Sequence, residues 1–133
     1  MTKRVDLQLE GMPTPAVEIY LDKRSKSPSL VVRLEGPNGT ISAIDVRDAR
    51  FKMVGGIGIG SSLGQLRSLH KSLYIGSGEG DFYAIIRDLD ISFRLKLSDQ
   101  TLKRVYANQT TQYNGKDNPL IPDETNITDL YVH

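Results

Sequence analysis

The chain has 133 residues, 17 Lys plus Arg against 16 Asp plus Glu for a formal net charge of +1, no cysteine and two histidines. That length fits one domain with one core, spanning 1–133, and the scattered, balanced charge offers no footprint for nucleic acid. Missing cysteines exclude disulfides, thiolate catalysis and sulfur-ligated zinc, and the apolar runs fall well short of the ~20 residues of a transmembrane helix.

The opening MTKRVDLQLEG lacks the apolar stretch of a signal peptide. Val5, Leu7 and Leu9 alternate with polar residues and predict a first strand, which GMPTP interrupts. VEIYLD places Val17, Ile19 and Leu21 on one face of a second strand, and LVVRLE places Leu30, Val32 and Leu34 on one face of a third. Gly36-Pro-Asn-Gly39 predicts a tight turn with positive φ at Asn38-Gly39, and TISAIDV returns antiparallel.

ARFKMV reads as a strand entering the glycine-rich stretch MVGGIGIGSSLGQLRSLH, Met53 to His70. Ser62 and Gln65 have the spacing of a capping box. Leu63, Leu66, Leu69 and Leu73 fall near one stripe, and His70 and Lys71 suit the negative end of a helix dipole. A helix over about 62–71 follows, too short to stand without a sheet to pack on. Gly76 to Gly80 predicts a turn before DFYAIIRDL, and ISFRLKL aligns Ile91, Phe93, Leu95 and Leu97 on one strand face. SDQTLKRVYAN suits a short helix or another strand, QTTQYNGKDNPLIPDET an irregular loop, and NITDLYVH a closing strand. The expected fold class is α+β: a largely antiparallel twisted sheet with one short helix, about 62–71, packed on one face.

The glycine stretch raises the question of a phosphate cradle. Gly56, Gly58 and Gly60 alternate, and a dinucleotide fingerprint begun at Gly58 and Gly60 meets Leu63 where its third glycine belongs. Glu79, at a suitable separation, sits in a turn, and the G-K-[ST] ending of a P-loop is missing. A structural corner is therefore expected. His70 has no nucleophile or orienting carboxylate at a recognisable spacing. The pairs Asp45/Asp48, Glu79/Asp81 and Asp88/Asp90 suit turns and strand ends, and the surroundings of Glu79 lack the calcium-loop pattern. The N-x-T triplets at Asn38, Asn108 and Asn126 matter only in a eukaryotic secretory chain, for which nothing else argues. No catalytic, cofactor-binding or metal-ligating residue is assigned.

GTISAIDVRDARFKMVGGIGIGSSLGQLRSLH, GSGEGDFYAII, ISFRLKL and ITDLYV together resemble a pattern in small uncharacterised bacterial proteins, many of them exported or lipid-anchored. The resemblance spans about residues 29 to 133 and rests on fold-forming residues. It implies a periplasmic or envelope setting if Met1 replaces a removed export signal; the alternative is the cytoplasm. The expected function is a non-enzymatic binding or interaction module with an unknown protein or small ligand as partner. The alternative is an enzyme or small-ligand protein whose pocket gathers Asp81, Asp88, Asp90, Arg87 or His70. The long segment Asn108 to Thr125 carries apolar groups a solvated linker does not need, so Tyr106, Tyr113, Leu120 and Ile121 are the expected interaction surface.

Overall fold

The computed structural model describes residues 1–53, 55–78, 80–108 and 116–133. Contacts divide them into two compact units, 1–48 with 131–133, and 49–130.

In the first unit β1 (Thr2–Leu9), β2 (Met12–Ile19), β3 (Leu30–Glu35) and β4 (Thr40–Val46) lie in the order β1-β2-β3-β4. Glu10 and Gly11, at φ 50° and 77°, join Leu9 to its partner Met12 as a two-residue turn of the primed type, whose twist suits a hairpin. Met1 and Tyr20 exchange backbone hydrogen bonds of 3.1 and 2.9 Å, which sets the phase of the ladder. Odd-numbered residues of β1 turn their backbone groups towards β2, and even-numbered residues turn them outwards.

That phase explains how β2 absorbs GMPTP. Pro13 and Pro15 face the β3 side, where the ladder begins only at Ala16 opposite Arg33, so their missing N–H groups cost no hydrogen bond. The best-buried face is not that of Leu30, Val32 and Leu34 but its opposite, where Ala16, Val31 and Ala43 lie with the Arg33–Asp45 ion pair of 2.8 Å. Leu21 is exposed. The turn after β3 takes positive φ at Gly36 and Gly39, not at Asn38.

The second unit holds α1 (Leu63–Leu69), β5 (Tyr74–Gly78), β6 (Asp81–Ile86), a 3-10 turn (Arg87–Leu89), β7 (Ile91–Lys96), α2 (Asp99–Ala107) and the start of β8 (Asn126–Val132), its strands in the order β8-β7-β6-β5. Phe82 pairs with Leu95 and Ala84 with Phe93, all turned into a core that includes Leu63, Leu66, Ile86, Ile121 and Ile127.

The expected α+β class with one short helix is thereby corrected. Among the described residues eight strands in antiparallel pairings stand against two helices, with 45% of residues in strands and 15% in helices, so the fold is mainly β. The second helix is α2, which Ser98 caps by accepting the Thr101 N–H while Thr101 and Val105 turn inwards one turn apart. α1 has the expected capping box, but it ends before the stripe does. His70 leaves in extended conformation, Leu69 is exposed, and Leu73 rejoins the core from beyond the helix. Among its described residues, 49–53, ARFKMV forms only an isolated bridge between Lys52 and Gly58 where a strand is expected.

Candidate functional site

The glycine corner forms because one turn and two close approaches need it. The Met53 N–H donates to Ile57 O at 2.8 Å and the Gly56 N–H to Met53 O at 2.9 Å, closing a turn in which Gly55 and Gly56 take positive φ. A Cβ on Gly58 would lie 2.9 Å from Phe51 O, so the Lys52–Gly58 bridge requires glycine there. Gly64, in the first turn of α1, passes so close to the following segment that a Cβ would meet Asp123 Cβ at 2.8 Å.

A phosphate cradle needs N–H groups aimed into open space. Here the Gly60 N–H donates to Ile127 O, the Leu63 N–H to Thr125 O and the Gly64 N–H to Asp123 O, at 2.8–2.9 Å. The Gly58 N–H takes Ser61 Oγ, the Ser61 N–H takes Gly58 O, and the capping box occupies the amides of Ser62 and Gln65. The helix N-terminus is thus bonded to the chain's own residues 123–127 and to its own cap.

Arg67, on α1, fixes the segment that follows. Its Nε and Nη2 grip Asp117 at 2.8 and 2.9 Å, Nη1 donates to Ile121 O and Asp123 Oδ1 at 2.8 Å, and Nη2 also reaches Asn118 O at 2.9 Å. All five guanidinium N–H groups have acceptors. Burial pushes the Arg67 pKa down, but the hydrogen bonds and charges of Asp117 and Asp123 outweigh it, and the group is raised above its ordinary value. The buried Asn118 tightens the segment by accepting the Leu120 N–H at 2.9 Å, and Ile75 of β5 donates to Lys116 O at 3.0 Å, partly covering that sheet edge.

The expected interaction surface is consequently split. Ile121 is fully buried, and its place in the core corrects the expectation that it faces a partner: burial of its apolar side chain is favourable, and its carbonyl accepts from Arg67 Nη1 at 2.8 Å. Leu120 is half-buried, Tyr106 is 50% exposed, and Tyr113 lies outside the described residues. Tyr106 stands over Phe82 edge-on, ring centres 6.0 Å apart. Phe82 in turn helps line a hollow of about 150 Å³ between the β6–β7 hairpin and α2, with Leu95, Leu97 and Leu102 as further apolar walls and Asp81 and Lys96 at the polar side. Leu102 and Tyr106 are one turn apart on α2, so the helix presents both to this region. The hollow is well below the ~300–1,000 Å³ of sites for drug-sized molecules, and it suits a single inserted side chain.

The other candidates are dispersed over separate contacts. Asp45 binds Arg33, Asp81 binds Arg94 at 2.7 Å, and Arg94 also approaches Asp129 at 3.6 Å. Arg87 lies 4.3 Å above the Tyr74 ring, a cation–π contact. Asp90 ends the 3-10 turn in the left-handed region, and the His70 N–H closes α1 on Leu66 O. Among the described residues no three His, Asp or Glu gather as metal ligands, and no helix is long and apolar enough to cross a membrane. Glu79 lies outside the described residues.

No family model matches the chain, and no curated protein matches it. The crystal structure of the uncharacterised protein yfeY from Escherichia coli is similar over 100% of this chain and 81% of its own, with a TM-score of 0.62 and 15% sequence identity. At that identity the likeness concerns the fold.

Proposed function

We propose that this protein is a non-enzymatic interaction module of the bacterial cell envelope, and that it receives one apolar side chain of a partner protein in the hollow beside α2. The observation that carries this reading is the hollow's composition: apolar walls from Phe82, Leu95, Leu97 and Leu102, a polar side from Asp81 and Lys96, and the half-exposed Tyr106 one helical turn away. A small, half-open recess with leucine and phenylalanine in its wall beside an exposed tyrosine offers one apolar anchor point, and at interfaces a few such anchors provide most of the binding energy. The envelope setting rests on the resemblance to exported bacterial proteins. Catalysis is disfavoured because Asp81 and Arg87 are engaged in separate contacts, with Arg94 and with the Tyr74 ring.

The test replaces Tyr106 with a photo-activatable phenylalanine in the source cells, with the same replacement at the exposed Lys23 as control. The reading expects a discrete adduct at position 106 only, in the envelope fraction, and its loss in a Leu102→Lys variant that keeps the native circular-dichroism spectrum. No adduct, or one indifferent to Leu102→Lys, would contradict it.

A further inference from the structure

We infer that the outer edge of β1 is a self-complementary docking strand, pairing antiparallel with β1 of a second copy about a two-fold axis at Val5. β1 is the terminal strand in the sheet order, and none of its eight residues has a partner on the outer side among the described residues. Exposed edges are commonly blunted by charged side chains, proline, bulges or a covering segment, and β1 carries Lys3, Arg4 and Asp6. Elsewhere the chain has Pro13 and Pro15 on the open flank of β2 and Lys116 against β5, whereas β1 has no proline and no register shift, and its charges Arg4 and Asp6 are of opposite sign, which blunts pairing with a foreign edge more than with its own copy.

The occupant follows from charge and backbone phase. The outward backbone groups are those of Thr2, Arg4, Asp6 and Gln8, as the Met1–Tyr20 pair establishes. With the axis at Val5, Arg4 pairs with Asp6 of the second copy and Thr2 with Gln8, each pair occurring twice and each being of the hydrogen-bonded kind. Arg4 and Asp6 have no ion-pair partner within the described chain, and the dimer provides one for each. On the other face Val5 meets its own copy, Lys3 lies along Leu7, and Met1 comes opposite Leu9. The last two are 60% and 37% exposed in the single chain. Sliding the axis by one residue sets Arg4 against its own copy or Asp6 against its own copy, and like charges directly opposite are destabilising. One register is therefore favoured over its neighbours on both sides.

Sedimentation velocity of the full chain across a micromolar-to-millimolar series tests this. The wild type should dimerise, and Arg4→Glu and Asp6→Arg should each weaken the dimer by about tenfold or more, since either puts like charges in both ion-pair positions. The double variant Arg4→Asp with Asp6→Arg should restore it, which separates a lost contact from a lost fold. Val5→Cys, the chain's one cysteine, should oxidise to a covalent dimer because non-hydrogen-bonded antiparallel partners lie within disulfide reach, while Gln8→Cys should not. A monomeric wild type, dimers indifferent to both single charge reversals, or a double variant that stays monomeric would overturn the proposal.

Discussion

Replacing Arg67 with Ala removes five hydrogen bonds and leaves Asp117 and the carbonyls of Asn118 and Ile121 without the donor they are folded around. The expected loss is about 3 kcal/mol, as for a partly buried ion pair broken from one side, with Asp123 adding little because its side chain is 74% exposed. Arg67→Lys should recover only a small part of this, since an ammonium cannot reproduce the bidentate grip on Asp117. Urea denaturation of the two variants measures both effects. Tyr20 makes stability depend on pH. Its hydrogen bond to Glu18 Oε2, 2.7 Å, is the main cause that raises the phenol above its ordinary 10.0, with desolvation and the Glu18 charge adding and Arg47 opposing. A raised folded-state value means that this stabilisation is fully present below pH 10 and is lost as the pH rises through the folded-state value. Glu18→Gln should therefore shift the ultraviolet titration of Tyr20 to lower pH.

At the scale of elements, the capping box of α1 is legible because Ser62 and Gln65 form it within one turn. β2 is less so, since its prolines argue against a strand until the ladder on their side is known to start at Ala16. α2 is ambiguous in the sequence because Thr101, Val105 and Tyr106 suit either helix or strand, and tertiary burial of Thr101 and Val105 decides. The Arg67 clamp is illegible, since it joins residues 50 to 56 positions apart and charge spacing along the chain gives no sign of it. α1 also carries a substitution test. Alanine in a helix ordinarily gains about 1 kcal/mol over glycine, yet Gly64→Ala should destabilise by roughly 1–3 kcal/mol, because its Cβ would stand 2.8 Å from Asp123 Cβ and 3.2 Å from Asp123 O. Thermal denaturation gives the sign.

For the whole molecule, the alternating segments foretell the antiparallel strands and hairpins, while the class shifts to mainly β because GMPTP joins β2 and eight strands outweigh two helices. Of the expected surface residues Tyr106 is half-exposed and Leu120 half-buried, whereas Ile121 belongs to the core through contacts no local pattern encodes. The glycine corner and residues 116–127 form one interlocked structural unit, with the corner's amides bonded within the chain instead of aimed at a nucleotide. Amide hydrogen exchange with and without millimolar ATP tests it most directly. The Gly60, Leu63 and Gly64 amides, bonded to the carbonyls of Ile127, Thr125 and Asp123, should exchange as slowly as those of β6 and β7 and should not respond to nucleotide. Fast exchange at these three amides, or saturable protection by ATP, would contradict the account.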